Sequence, residues 1–504
     1  MEGIYRSILD SWKSALPELI LLGWAGMMFL GSLVRVKGSW WATMSVGGIL
    51  LSLAIWTGTV SPSEPNDTIP SASILITETW RWSGRGLVLG TGLLLVLTMW
   101  SHVSERQAGE FFACLLSIVA GSGLVLAAHD LVSLFVALEI VSISTYIVLY
   151  ILRRDNSGLE ATIKYFLLSL FASAIFLFGI SLLYLAVGRT NYQQIRLQLL
   201  TVGANPLVLV SGLFVLGGLS FRIAAVPLHF YAPDVFAGTH PAGAALLAVV
   251  PKVVGFLAMY QMLTEIYAAA LGVPHGGAAV LPLLLLTLAV LAGASMMLGN
   301  IGGLLQDNIY RLLAYSSIAH AGYMLLGLAA GQGGKPVAGN EALLFYLGAY
   351  ILMSLGVFTG LLCVRQGGKL IGYLDELSGL GRSQPLLALA IAVGLLSLTG
   401  LPPTGGFWGK VMLFLAAWYA PEGQTTLRYL AIFLAVNAAI GAWYYLRILG
   451  VMYLRPAVRP FDSINDVPAR LTCLVCTVLT LVLFLVPSLW WKAVVWAFAG
   501  DAGP

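Results

Sequence analysis

Long apolar runs separated by short polar connections make up almost the whole chain. A helix needs about 20 predominantly apolar residues to cross the hydrocarbon core of a bilayer, and fourteen runs of suitable length follow one another. The longest connections, residues 61–83 and 453–469, are rich in Pro, Ser, Asn and Asp, which is typical of surface loops. The predicted spans are 16–34, 41–60, 84–101, 109–128, 131–152, 162–187, 207–226, 243–264, 278–299, 309–330, 342–366, 385–418 (broken), 428–452 and 470–491. The pattern predicts an all-α polytopic membrane protein with about 14 transmembrane helices.

Composition supports the same class. Of the 504 residues, 59% are hydrophobic and 10% are charged, whereas a soluble globular protein carries about 25% charged residues. The mean hydropathy is +0.91. The net charge of +4 is spread through the loops and does not indicate nucleic-acid binding.

The distribution of basic residues predicts the orientation. Arg222, Lys252, Lys410 and Arg447 are placed within helices and left out of the comparison. The connections after odd-numbered spans then carry 13 Lys or Arg, and the termini together with the other connections carry 9. Because basic residues favour the cytoplasmic side, we expect both termini to lie outside.

Two features recur at a similar offset and indicate an internal repeat. Glu139 and His320 lie 181 residues apart, and Pro227 lies 175–176 residues before the Pro402–Pro403 pair. Repeats with helices broken at matching positions are typical of transporters. The chain is therefore divided into three N-terminal helices (1–104), a first five-helix repeat (105–270, helices 4–8), a second repeat (271–455, helices 9–13) and a last helix (456–504). Helices 7 and 12 are predicted to be broken.

Charged side chains inside the apolar runs are the candidate functional residues. A charge at the centre of a spanning helix costs about 2.5–3.5 kcal/mol on insertion scales, so such residues usually face a bundle interior and serve ion movement. Glu139 lies near the middle of the fifth span, and Lys252 follows Pro251 in the eighth. The alternatives are a structural carboxyl bonded to a neighbouring helix for Glu139 and an ammonium that snorkels to the interface for Lys252.

Three further residues complete the candidate set. An arginine is effectively never deprotonated, so Arg222 is expected to act as a fixed positive charge that biases Glu139. Lys410 lies in the second half of the broken twelfth span among several glycines. His320 could relay protons, or it could be a core histidine whose ring is bonded by a Ser or Tyr neighbour.

Motifs for cofactors are missing from the sequence. There is no phosphate-binding glycine loop, no GxSxG elbow and no clustered His/Cys set. Cys473 and Cys476 form a CxxC inside an apolar run without a second pair, which favours small buried side chains over a metal site. We therefore predict no cofactor or metal site in this chain.

Five segments together resemble a known family. They are ALEIVSISTYIVLY, VPLHFYAPDVFAG followed by VVPK, GNIGGLLQDNIYRLLAYSSIAHAGYMLLG, LTGLPPTGGFWGK and WYYLRILGVMYL. They resemble the antiporter-like membrane subunits of respiratory complex I, NADH:quinone oxidoreductase, and most closely the family's subunit N branch. The resemblance covers helices 4 to 13. It implies fourteen helices with two inverted five-helix repeats and a polar axis through the membrane arm of a complex in the bacterial inner membrane.

The resemblance also implies functions for individual residues. Glu139, Lys252 and Lys410 fall on the family's fifth-helix glutamate, eighth-helix lysine and twelfth-helix lysine, and with His320 they would form a proton relay coupled to quinone reduction elsewhere. Arg222 stands where the family usually has a lysine, and Tyr310 stands in NIYR where NIKR is usual. NADH, FMN, iron–sulfur clusters and quinone are expected in other subunits. The expected partners are a neighbouring antiporter-like subunit and small hydrophobic subunits.

Two other functions remain open on the sequence. A subunit of a multi-subunit cation/proton antiporter or of a membrane-bound hydrogenase would share Glu139 and the lysines, although the PAGAALLAVVPK run favours the subunit N branch. A stand-alone multispan enzyme acting on lipids would need acidic or histidine clusters at a membrane interface, and the sequence concentrates none there.

Overall fold

The fold is built almost entirely of helices, as the hydrophobic pattern predicts. The computed structural model describes residues 15–34, 36–58, 72–202, 205–267, 280–331, 336–420, 425–462 and 466–498. The strands within these ranges are the two-residue β1 (Arg365–Gln366) and β2 (Lys369–Leu370), which pair antiparallel. The expected all-α class is therefore confirmed.

Eleven of the described helices are long and apolar enough to cross a membrane, and three shorter apolar helices accompany them. This set is compatible with the fourteen predicted spans. The helices are α1 (Leu16–Gly31), α2 (Gly38–Gly58), α3 (Ala72–Met99), α4 (Ala108–Ala127), α5 (Leu131–Leu152), α6 (Asn156–Val187), α7 (Tyr192–Val202), α8 (Pro206–Arg222), α9 (Ala232–Gly238), α10 (Pro241–Gln261), α11 (Val280–Leu304), α12 (Ile309–Ala330), α13 (Gly339–Leu362), α14 (Leu380–Ser383), α15 (Pro385–Thr399), α16 (Gly405–Trp418), α17 (Thr425–Leu454), α18 (Val467–Leu485) and α19 (Pro487–Phe498).

The structure corrects several boundaries. The loop predicted over 61–83 is wrong in its second part, because α3 already begins at Ala72, and its first part lies outside the described residues. The seventh span ends at Arg222 instead of residue 226. The short helices α7 and α19 were not predicted. With 11 and 12 residues, both helices are too short to give a separate span in the hydrophobic pattern.

The chain forms two compact units. The first consists of Met1–Ile151 and Lys492–Pro504, and the second of Leu152–Trp491. The predicted division into two five-helix repeats stays a prediction, and its boundary at residues 270 and 271 lies outside the described part of the chain.

In the first unit, α1, α2 and α3 pack against α4. A buried ion pair ties α1 to α3. Arg85 donates to both carboxylate oxygens of Glu18, at 2.7 and 2.5 Å, and the two residues are 7% and 1% exposed. Bidentate geometry of this kind offsets part of the desolvation cost of the two charges.

In the second unit, α10, α12 and α13 form the centre. Every residue of the most apolar window of α10 is buried, and most of the corresponding windows in α12 and α13 are buried as well. Helices that are apolar on all sides must be surrounded by other helices or by lipid. α16 and α17 pack against α12 and complete this core.

Two interrupted helices of the second unit correspond to the predicted breaks. Between α8 and α9, the Tyr231 hydroxyl donates to the Phe221 carbonyl at 3.0 Å, and the Val226 N–H donates to Ser295 Oγ at 3.0 Å. Between α15 and α16 the chain turns at Gly400, which has φ +85. The Val226–Pro227 and Pro402–Pro403 peptide bonds are cis. Side chains thus satisfy backbone groups that a membrane-embedded break would otherwise leave without partners.

Candidate functional site

Lys252 is enclosed by the core helices and is bonded to a hydroxyl. Its side chain is 2% exposed, and Nζ donates to Oγ of Ser317 on α12. The Tyr350 hydroxyl on α13 also donates to Ser317 Oγ, at 3.1 Å, and the Tyr350 ring centre lies 5.9 Å from Lys252 Nζ. Among the described residues, no carboxylate pairs with Lys252. The predicted burial is confirmed, and snorkelling to an interface is not what the structure shows.

His320 is fully buried, and each of its ring nitrogens contacts a tyrosine hydroxyl. Nδ1 lies 2.6 Å from the Tyr346 hydroxyl, and Nε2 lies 3.0 Å from the Tyr445 hydroxyl. The Tyr445 hydroxyl also bonds to Ser316 Oγ. A neutral imidazole has one donor and one acceptor nitrogen, so one tyrosine donates to the ring and the other accepts. The alternative of a histidine bonded by Tyr neighbours therefore describes the geometry, and the same contacts are compatible with a relay.

Lys410 binds the end of a helix. It lies on α16, is 8% exposed, and donates from Nζ to the carbonyl oxygens of Leu398 and Thr399, each at 2.8 Å. These carbonyls belong to the last turn of α15, where the carbonyl oxygens lack helical N–H donors and the helix dipole is negative. The two halves of the broken twelfth span therefore supply both the lysine and the uncharged carbonyl groups that bind it. Gly400 makes this approach possible, because a Cβ there would lie 2.7 Å from Lys410 Cδ.

A row of aromatic rings lies between these groups. The His320 ring centre is 5.5 Å from that of Tyr350 and 5.4 Å from that of Tyr323. The Tyr323 ring centre is 5.0 Å from Lys410 Nζ. The second unit thus brings three predicted residues, Lys252, His320 and Lys410, into one buried polar line across α10, α12 and α16.

The other two predicted residues lie at different places. Arg222 is the last residue of α8 and is partly exposed. Its Cβ would be 3.4 Å from a Cβ placed on Gly255, one turn along α10 from Lys252. Glu139 lies in the middle of α5, in the first compact unit, and is partly exposed. The pairing of Glu139 with Arg222 stays a prediction.

The sequence reasoning considered a Ser or Tyr neighbour for His320 but did not identify the hydroxyl partners of the line. They are Ser316, Ser317, Tyr346, Tyr350 and Tyr445. A signal was present, because a tyrosine inside a buried helix usually needs a partner for its hydroxyl. Tyr346 and Tyr350 also stand four residues apart and share one face of α13.

Comparison with known proteins places the chain in a family. The family model described as NADH:quinone oxidoreductase/Mrp antiporter, transmembrane, matches residues 128–436. The chain belongs to this family. NADH-quinone oxidoreductase subunit N of Trichlorobacter lovleyi is 34% identical over 484 residues, which cover 94% of this chain and 94% of the relative. The resemblance to the subunit N branch is confirmed.

Solved structures agree with this assignment. A chain of respiratory complex I from Thermus thermophilus has 31% sequence identity and a TM-score of 0.75, covering 95% of this chain and 99% of the other. A chain of the Mrp complex from Dietzia matches with a TM-score of 0.76 at 21% identity, covering 97% of each chain, which shows a shared fold. The antiporter-like architecture expected from the sequence is therefore confirmed at the level of the fold.

Proposed function

We propose that this chain is a proton-conducting membrane-arm subunit, of the subunit N type, in a bacterial NADH:quinone oxidoreductase. Lys252, His320 and Lys410 would carry the protons. The reduction of quinone, and with it the NADH, FMN and iron–sulfur chemistry, would take place in other subunits. The names of the relatives and the buried polar line support this proposal together.

One observation carries the proposal: in the part of the chain that the structure describes, Lys252 and His320 bond to hydroxyl groups and to no carboxylate. A hydroxyl can both donate and accept a hydrogen bond, so it can pass a proton on, whereas an ion pair would hold the lysine in its charged form. Protonated Lys252 donates to Ser317 Oγ. After the proton leaves, the neutral amine can accept the Ser317 O–H, so this contact suits both protonation states.

His320, in the middle of the line, is also bonded by hydroxyl groups that can both donate and accept. The Tyr346 and Tyr445 hydroxyls each bond one nitrogen of His320, and Ser316 extends the Tyr445 side. Reversing the direction of these bonds would move a proton across the ring. The ring separations of 5.4 and 5.5 Å to Tyr323 and Tyr350 require a bridging water or a side-chain rotation for the remaining steps.

Lys410 would form the far end of the path. Its two carbonyl partners accept only, so they fix the position of Nζ while the amine gains and loses a proton. Arg222 would contribute a fixed positive charge that biases Glu139, because a guanidinium does not exchange protons. Neighbouring membrane-arm subunits and a bacterial plasma membrane with both termini outside complete the proposed setting.

The experiment uses the assembled complex in proteoliposomes and measures protons moved per NADH oxidised. Lys410→Ala should lower this ratio, because the path loses one of its proton-carrying groups. Lys369→Ala is the matched control, since this lysine is exposed in β2, and it should leave the ratio unchanged. An unchanged ratio in Lys410→Ala would contradict the proposal. Proton movement driven by a sodium gradient without NADH would favour the cation/proton antiporter.

A further inference from the structure

A groove lies apart from the polar line, between the first two turns of α15 and of α18. Its volume is about 400 Å³, and its apolar walls consist of Pro385, Leu386, Leu387, Ala390, Cys473 and Leu474. Gln384 and Arg470 complete the lining. None of these side chains takes part in the contacts of Lys252, His320 or Lys410.

Arg470 is the basic residue of the lining, and its guanidinium places a positive charge beside the apolar walls. Its side chain is exposed, and among the described residues no acidic side chain forms an ion pair with it. Asp466, the acid closest to it along the chain, is buried and accepts the N–H of Ala469 at 3.3 Å, where it caps the start of α18. The groove is therefore apolar along its walls and cationic at one end.

The position of Arg470 along α18 determines how deep its positive charge lies in the membrane. α15 begins at Pro385 and α18 at Val467, and the two starts are adjacent because Gln384 Nε2 donates to the Asp462 carbonyl at 3.0 Å. Arg470 lies in the first turn of the apolar helix α18, and a long basic side chain near the end of a spanning helix extends to the headgroup region, so we place its guanidinium at the membrane interface. From Pro385 to Ala390 the groove follows α15 for about 8 Å, at a rise of 1.5 Å per residue.

We propose that this groove binds one anionic phospholipid, whose phosphate pairs with the Arg470 guanidinium and whose acyl chain enters between α15 and α18. An arginine can bind phosphate oxygens in a bidentate manner, and basic pockets between membrane helices bind anionic headgroups. One phospholipid molecule supplies both contacts, because its phosphate matches the charge of Arg470 and its acyl chain matches the apolar walls.

The test uses the purified complex in nanodiscs that contain phosphatidylcholine and a photoactivatable phosphatidylglycerol. Labelling of the α15 and α18 peptides is quantified by mass spectrometry. Arg470→Gln should lower the labelling about threefold or more, because it removes the charge contact at the membrane interface. Ala390→Phe should lower it as well, since the larger side chain fills the groove and leaves Arg470 in place.

Two controls make the result decisive. Arg382→Gln removes an exposed arginine of α14 that does not line the groove, and it should label like the unaltered complex. Arg470→Lys keeps the charge and should retain most of the labelling even if the Gln variant assembles poorly. Equal labelling of the unaltered and Arg470→Gln complexes would overturn the proposal. Equal labelling by a photoactivatable phosphatidylcholine would do the same, as would a cross-link from the groove to another subunit in place of lipid.

Discussion

His320 is held on both sides of its ring by tyrosine hydroxyls, and this arrangement determines what single substitutions should do. Removing one hydroxyl leaves the histidine buried and in place, because the ring remains packed against Tyr323 and Tyr350. It also removes the group that would pass or receive the proton. A loss of function without a comparable loss of stability would therefore distinguish a relay from a purely structural histidine.

Tyr445→Phe and Tyr346→Phe should each slow proton-coupled NADH oxidation several-fold in the assembled complex, with a stability cost of about 1 kcal/mol for the lost hydrogen bond. Tyr267→Phe is the matched control. Its hydroxyl is buried in the same unit and bonds to Ser211 Oγ at 3.2 Å, away from His320. Turnover and thermal unfolding of the purified complexes provide the two measurements. Equal turnover in the Tyr267 and Tyr445 variants would argue against the relay.

The proposed pair of Glu139 and Arg222 can be tested by a double-mutant cycle. Removing one partner of an ion pair leaves the other charge uncompensated, whereas neutralising both often costs little. Glu139→Gln and Arg222→Ala should therefore each destabilise the complex, by less than the cost of about 3–5 kcal/mol for a fully buried pair, because both residues are partly exposed. The double variant should recover part of the stability and none of the pumping. Strictly additive changes in thermal stability would show that the two side chains do not interact.

At the scale of the helices, the break between α15 and α16 is what positions Lys410. Gly400→Ala should cost about 1–2 kcal/mol from its positive φ alone and should also push Lys410 from the end of α15. Gly367→Ala separates the two effects, because Gly367 has φ +58 with nothing within 4 Å of its added Cβ. We expect both variants to lower thermal stability, and only Gly400→Ala to lower NADH-driven proton uptake. Normal uptake in Gly400→Ala would show that the position of Lys410 is not critical.

The positions of most helices, and of the charged residues within them, could be predicted from the sequence. Apolar runs of spanning length located most helices, and the charges within them located Lys252 and Lys410, because a charge in an apolar run is visible without a structure. The end of α8 at Arg222 was not visible, since the apolar pattern continues through Ile223 to Val226. There the helix ends because Ala224 adopts φ 56 and the Val226 N–H turns to Ser295, 69 residues away.

The tyrosine partners could not be predicted for a related reason. A tyrosine in an apolar run can be an interfacial residue, a core residue or a hydrogen-bond partner, and only the packing of α12, α13 and α17 decides among these. Tyr445 lies 125 residues from His320 along the chain, so their contact depends on the tertiary fold. The resemblance to a family located the charged residues by position, and it did not identify the hydroxyl groups that connect them.

At the scale of the whole molecule, different parts of one chain have different proposed functions. The second compact unit contains the buried line from Lys252 to Lys410, and the first contains Glu139 and a separate buried ion pair between Glu18 and Arg85. Membership of the NADH:quinone oxidoreductase/Mrp antiporter family fits this design, because the chemistry that drives proton movement would come from other subunits. The central claim is that Lys252 works by exchanging a proton and not only by carrying a charge.

The most direct test is the number of protons moved per NADH oxidised by the complex with Lys252→Arg, reconstituted in proteoliposomes. Arginine keeps the positive charge and can still donate to Ser317, but it does not release its proton under these conditions. We expect Lys252→Arg to lower the ratio, as Lys252→Ala should. A normal ratio with Lys252→Arg, together with a lowered one for Lys252→Ala, would show that only the charge is needed and would contradict proton exchange by Lys252.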